Sequence, residues 1–165
     1  MTLEQAAEHF SKTFNLGKTT KQILDEWNNY LLDQYKNVIP LKPYADRLIE
    51  LWSRQGIKMC VATLTEKKMA EIILKKYGLL DKFEFILTVA EVGKSKLSPD
   101  IYLRCAEKMG LLPNECIVLE DTYHAMKSAK GAGFTVYAVD EPTARNKEGI
   151  RAICDKYINT FEEIL

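Results

Sequence analysis

Several side chains that can bind phosphate or a divalent cation follow short apolar segments of the sequence. A hydroxyl before a helix can donate to phosphate, a lysine can neutralise it, and carboxylates hold Mg²⁺ together with water. These residues are Thr63 after Ile57–Ala62, Lys96 after Phe83–Val89, and Glu120 and Asp121 after Cys116–Leu119. Together they predict a magnesium and phosphate site, which is what phosphoryl transfer needs for positioning and charge stabilisation.

The elements around these residues alternate between strands and helices. Apolar runs at 57–62, 83–89, 116–119 and 134–139 predict four buried strands, with helices predicted between them. This alternation favours an α/β fold: a Rossmann-like parallel sheet with helices on both faces. Because ligands bind beyond the carboxyl ends of such strands, the candidate residues are expected at one rim.

Residues 1–40 do not show this alternation and read as a separate helical piece. Thr19 is a candidate N-cap, and Gln22 three residues later completes a capping box. Pro40 and Pro43 mark a boundary. We therefore predict two domains, a helical one at 1–40 and an α/β core at 41–165.

Each candidate residue also has a structural interpretation. Thr63 and Asp121 can act as helix N-caps, and an exposed Lys96 is usually only a solvated charge. Ser98 is predicted to cap the helix that follows it, with Pro99 at the first position. The order of threonine, lysine and paired acids on successive loops carries more weight than any one of them.

Composition excludes several classes of protein. The 23 basic and 23 acidic residues give a formal net charge of zero, which argues against a nucleic-acid or polybasic membrane-surface partner. No apolar run reaches the length of a membrane span, and the first residues do not form a signal peptide. We therefore predict a cytoplasmic protein with four reduced cysteines.

One connecting segment and three motifs resemble those of one family. The segments are Leu41-Lys42-Pro43, Ile57–Thr63, Gly93–Asp100 and Val118-Leu119-Glu120-Asp121-Thr122. In this order they resemble a haloacid dehalogenase-like hydrolase of the β-phosphoglucomutase-like branch, from Leu41 to about Phe161.

The resemblance implies a role for each candidate. Thr63 and Lys96 are expected to bind the phosphate of a small phosphorylated metabolite, Asp121 to bind Mg²⁺, and Glu120 to support that metal site. Residues 1–40 then correspond to part of the helical cap that selects the substrate. The implied activity is that of a phosphatase or phosphomutase acting on a sugar-phosphate-like substrate.

One departure from the family limits this expectation. The family's first motif, an apolar strand followed by Asp-x-Asp, supplies the nucleophile, and the sequence contains no Asp-x-Asp. The chain is therefore expected to be inactive, since the covalent step has no nucleophile. A start codon assigned too late, a truncated gene, and a non-catalytic module that binds a phosphorylated ligand or a protein are the alternative explanations.

The same departure predicts a gap in the sheet. The missing strand is the central one of the family and lies between the strands at 57–62 and 116–119. Without it, these strands either pair directly, accept a strand from another chain, or leave the fold damaged. Because unpaired edges are templates for pairing, we expect self-association through the gap.

Overall fold

The structure, a computed structural model, describes residues 3–165. Within this range the chain divides into two compact units, one ending at Pro40 and the other spanning Leu41–Leu165. No helix in the described range is long and apolar enough to cross a membrane.

The first unit is an α-helical hairpin. Helix α1 spans Leu3–Thr13, α2 spans Thr20–Asp33, and a π-helical turn follows at Gln34–Val38. The predicted capping box is confirmed, because the Thr19 hydroxyl accepts from the backbone N–H of Gln22 and the Gln22 side chain accepts from the backbone N–H of Thr19.

The second unit alternates helices and short strands. Its helices are α3 (Ala45–Arg54), α4 (Lys67–Lys76), α5 (Val89–Val92), α6 (Asp100–Met109), α7 (Tyr123–Gly131) and α8 (Lys147–Ile153). Its strands are β1 (Cys60–Thr63), β2 (Phe85–Thr88), β3 (Ile117–Glu120), β4 (Thr135–Val139) and β5 (Lys156–Ile158). Short 3₁₀ turns lie at Leu80–Lys82, Pro113–Glu115 and Phe161–Ile164. This is the predicted α/β fold, with every strand pair parallel.

The strands form two separate sheets. β1 pairs with β2, and β3, β4 and β5 pair in that order. Within residues 3–165 no ladder joins β1 to β3. The predicted gap is therefore present, and the alternative in which these two strands pair directly is wrong.

Side chains on β1 and β2 pack on two different clusters. Cys60 and Ala62 face the cluster built on α6 and α7, whereas Val61 between them faces the cluster built on α4. This two-residue alternation is the geometry of a strand covered on both faces. The sheet of β1 and β2 thus has helices on both faces, as expected of a Rossmann-like layer.

Two details of the sequence prediction are wrong. The helix after Ser98 begins at Asp100, Pro99 occupies the N-cap position, and the Ser98 hydroxyl donates to the Asp100 carboxylate instead of capping the helix. The chain also has a fifth strand, β5, beyond the four that the sequence predicts, and it completes the sheet of β3 and β4.

Candidate phosphate and metal site

Lys96 and Glu120 form a buried ion pair at the carboxyl ends of the strands. The Lys96 ammonium lies against Glu120 Oε1, and the side chains are 17% and 8% exposed. Burying two charges is costly unless they are paired and hydrogen-bonded. Lys96 is therefore not the solvated surface charge of the structural interpretation.

Tyr102 completes the environment of this pair. Its hydroxyl donates to Glu120 Oε1 at 2.7 Å, and the Lys96 ammonium lies 5.6 Å from the centre of its ring. Tyr102 is 3% exposed, and burial together with the Glu120 carboxylate raises the pKa of its phenol far above the ordinary value. The phenol therefore remains a proton donor that orients Glu120.

Asp121 presents the available carboxylate of the site. It forms no ion pair within residues 3–165, and burial first, then the neighbouring Glu120, raises the pKa of its carboxyl. Both effects disfavour the negative charge, so a cation at this position would be stabilised. Glu120 is already occupied by Lys96 and Tyr102, which fits a supporting role beside Asp121.

These carboxylates meet part of the requirements of Mg²⁺. This ion prefers oxygen ligands and is usually held by one or two carboxylates, several waters and substrate phosphate. No group of three metal-binding side chains occurs in the part of the chain that the structure describes. Asp121, with Glu120 behind it, matches the one or two carboxylates by which proteins usually hold Mg²⁺.

Thr63 lies at the carboxyl end of β1. Its hydroxyl accepts from the backbone N–H of Thr65 at 2.9 Å, and helix α4 begins later, with Glu66 at the N-cap position. The structural interpretation of Thr63 as an N-cap is therefore wrong. The same holds for Asp121, because Thr122 occupies the N-cap position of α7.

Lys42 is a further charged residue of this region. Its ammonium donates to the backbone oxygen of Asp140 at 3.0 Å and to Glu141 at 2.7 Å. This contact lowers the pKa of Glu141 to about 2. Asp140 itself binds Lys147 and Tyr157, so its carboxylate is already engaged in structural contacts.

The gap between β1 and β3 is a cavity of about 850 Å³. It extends from Lys58 and Glu115, at the amino ends of the strands, to Lys96, Glu120 and Asp121 at the carboxyl ends. Most of its lining between these ends is apolar. Of the four predicted site residues, three line this cavity, and Thr63 does not.

Sequence reasoning missed Tyr102 as a site residue. Its position on the inward face of α6, between Ile101 and Cys105, signals burial but not its contact with Glu120, which comes from β3. Only the tertiary packing of α6 reveals that contact.

The geometry defines a parallel α/β fold with charged side chains at the carboxyl ends of its strands. Comparisons with known proteins specify the family. Residues 1–139 match the family model described as haloacid dehalogenase-like hydrolase. The chain belongs to this family, and its likeness to β-phosphoglucomutase, at 18% identity, concerns the fold.

Among curated proteins, the chain is 32% identical to hexitol phosphatase B of Escherichia coli K12 over 107 residues, which are 65% of this chain and 48% of that protein. Among solved structures, CbbY from Rhodobacter sphaeroides with xylulose-(1,5)bisphosphate has a TM-score of 0.77 at 26% identity, covering 88% of this chain and 66% of that one. β-Phosphoglucomutase from Clostridium difficile has a TM-score of 0.73 at 18% identity, covering 100% and 74%. The chain spans about half the length of this curated relative.

Proposed function

We propose that this chain carries the phosphate- and metal-binding half of a Mg²⁺-dependent phosphatase or phosphomutase for small sugar-phosphate-like metabolites. Lys96 and Thr63 bind the phosphate, Asp121 binds the metal and Glu120 supports it. The observation that carries the proposal is the buried ion pair of Lys96 and Glu120 beside the unpaired Asp121. Hexitol phosphatase B and the CbbY complex support the substrate class.

The chain itself is proposed to bind without turnover. It has no Asp-x-Asp segment, so the covalent step lacks its nucleophile. When bound, Mg²⁺ would neutralise phosphate charge. Lys96 would donate its remaining N–H groups to phosphate oxygens, since an ammonium has three donors and Glu120 accepts only one. The cytoplasmic location stays a prediction.

Inorganic phosphate binding tests the site. We expect Lys96→Ala to weaken phosphate binding in calorimetry by about tenfold or more, as loss of a charged hydrogen bond predicts. Lys94→Ala is the matched control, because Lys94 lies two residues away and pairs with Asp100 on the surface. Equal affinities for both variants and the wild type would contradict the assignment.

Removing Lys96 alone leaves Glu120 buried and unpaired, which can unfold the chain. A double variant, Lys96→Met with Glu120→Gln, removes both charges and keeps the shape of the pair. It is expected to fold and to lose phosphate binding. Release of phosphate from p-nitrophenyl phosphate by the wild-type chain, abolished by Asp121→Asn, would overturn the proposal of inactivity.

A second candidate function is a binding module without chemistry. The open edges of β1 and β3 favour it, because both face one apolar cavity and can accept a strand. We propose that a second copy of this chain occupies the gap. Sedimentation velocity is expected to show a concentration-dependent dimer or larger species, and a monomer with ordinary thermal stability at all concentrations would contradict it.

A further inference from the structure

Three of the four cysteines surround the cavity. Cys60 lies on β1, Cys105 on α6 and Cys116 directly before β3, and all three line the space between the sheets. Cys154 packs against the same apolar core but does not line the cavity. All four are free thiols.

Cys60 and Cys105 are neighbours within this group. Helix α6 packs against β1, both side chains line the same cavity, and each thiol is the largest influence on the pKa of the other. Cys60 shares the face of β1 that packs on α6 with Ala62. The pair therefore joins a strand and a helix that are 45 residues apart in sequence (105 − 60).

The surroundings distinguish the two thiols. The neighbouring Cys60 thiol, followed by the charges of Lys108 and Lys96, lowers the pKa of the Cys105 thiol. The neighbouring Cys105 thiol, followed by burial, raises the pKa of the Cys60 thiol. A thiolate near lysines is the nucleophilic form of cysteine, so Cys105 is the attacking member and Cys60 the resolving one.

We propose that Cys60 and Cys105 are an oxidisable dithiol, a modification site at which a peroxide forms a disulfide between β1 and α6. Cys116 is not part of the reacting pair. The cross-link would tie the strand that ends at Thr63 to the helix that carries Tyr102. It is independent of the phosphate-binding proposal, because it requires neither phosphate nor metal.

The reaction balances with hydrogen peroxide as the oxidant. The Cys105 sulfur attacks one peroxide oxygen, the O–O bond breaks, and the other oxygen leaves as water after taking up a proton. The Cys60 sulfur then attacks the sulfenic sulfur of Cys105, the S–O bond breaks, and the hydroxyl leaves as water with the Cys60 proton. Two thiols lose two electrons and two protons, and the peroxide is reduced to two waters.

Peptide mapping of the full chain tests the proposal. Trypsin separates the four cysteines onto four peptides, Met59–Lys67, Cys105–Lys108, Met109–Lys127 and Ala152–Lys156. The reduced chain is treated with hydrogen peroxide, alkylated with N-ethylmaleimide and digested without a reductant. Mass spectrometry of the digest is expected to find Met59–Lys67 joined to Cys105–Lys108, with Cys116 and Cys154 alkylated. Before alkylation, the oxidised chain is expected to be a monomer that is lighter than the reduced chain by two hydrogen atoms.

Two variants and one reductant control the result. Cys60→Ala is expected to abolish the joined peptide, Cys154→Ala to retain it, and dithiothreitol to release both halves. Four alkylated cysteines, a link from Cys105 to Cys116, links only between separate chains, or sulfinic acid without a link would each overturn the proposal. If Cys60→Ala does not fold, the map of the wild-type chain still decides the outcome.

Discussion

Tyr102 connects the apolar core to the charged rim. Its ring packs edge-on against Phe134 at 6.2 Å between centroids, and its hydroxyl reaches Glu120. It therefore holds a buried carboxylate by a hydrogen bond, while Lys96 supplies the counter-charge. A single tyrosine thus contacts both members of the buried ion pair.

Removing this phenol should cost stability. We expect Tyr102→Phe to lower the free energy of unfolding by about 1.5–3 kcal/mol, the range for a hydrogen bond to a charged group. Urea unfolding measures the loss. Tyr30→Phe is the control, since Tyr30 is exposed and should change stability by less than about 0.5 kcal/mol. Equal stabilities of the two variants would show that the contact with Glu120 contributes nothing.

Replacing Asp121 should have the opposite effect and make the folded chain more stable. Because its folded pKa is raised above the ordinary 3.8, the folded state holds its proton more tightly than the unfolded chain. The free energy of unfolding therefore falls as the pH rises from the ordinary pKa of this carboxyl through its raised folded-state pKa. It remains lower at neutral pH. We expect Asp121→Asn to raise Tm by a few degrees at pH 7 without Mg²⁺.

The same variant tests the metal. Mg²⁺ should raise the Tm of the wild type by mass action and leave that of Asp121→Asn unchanged. Asp81→Asn is the matched control, because the Lys82 ammonium lowers the pKa of Asp81 and its removal should not stabilise the chain. A Tm for Asp121→Asn below that of the wild type without metal, or an equal response of both to Mg²⁺, would contradict this account.

The helices and strands that have strong local sequence signals agree best with the prediction from the sequence. The capping box at Thr19 and the four apolar strands were predictable because each signal lies within a few neighbouring residues. β1 is nevertheless shorter than its apolar run: it starts at Cys60, opposite Phe85, while Ile57 is 44% exposed. A strand's bounds depend on its partner, which the local sequence does not contain.

β5 illustrates the same limit more strongly. It has three residues, and among residues 3–165 it pairs with β4 alone, about 20 positions earlier. Ile158 is fully buried there and so belongs to the core. A three-residue strand has too few positions to display an alternation, so only pairing with Tyr137–Val139 identifies it.

The candidate site was predictable in its residue types but not in its contacts. The ends of parallel strands meet at one rim, so Lys96, Glu120 and Asp121 could be grouped from their order alone. The pairing of Lys96 with Glu120 and the contact of Tyr102 with this pair depend on how α6 packs across the sheet. The local sequence around Lys42 does not identify its partner, because the contact with Glu141 spans 99 positions.

For the whole molecule, the division into two units separates the proposed chemistry from residues 1–40. The unit Leu41–Leu165 contains every residue that lines the cavity and all four candidate site residues, which are Thr63, Lys96, Glu120 and Asp121. This unit also contains the two apolar core clusters built around the strands. The family resemblance predicts that residues 1–40 help to select the substrate, and binding of inorganic phosphate should not require them.

A chain of residues 41–165 alone should therefore fold and keep the site. We expect it to melt cooperatively, to show the same Tm increase with Mg²⁺ as the full chain, and to bind inorganic phosphate with the same affinity by calorimetry. Within this shorter chain, Lys96→Ala should lose phosphate binding and Lys94→Ala should retain it, because neither contact involves the first unit. A shorter chain that folds but has lost phosphate binding would show that residues 1–40 complete the site, and the assignment of the whole site to Leu41–Leu165 would then be wrong.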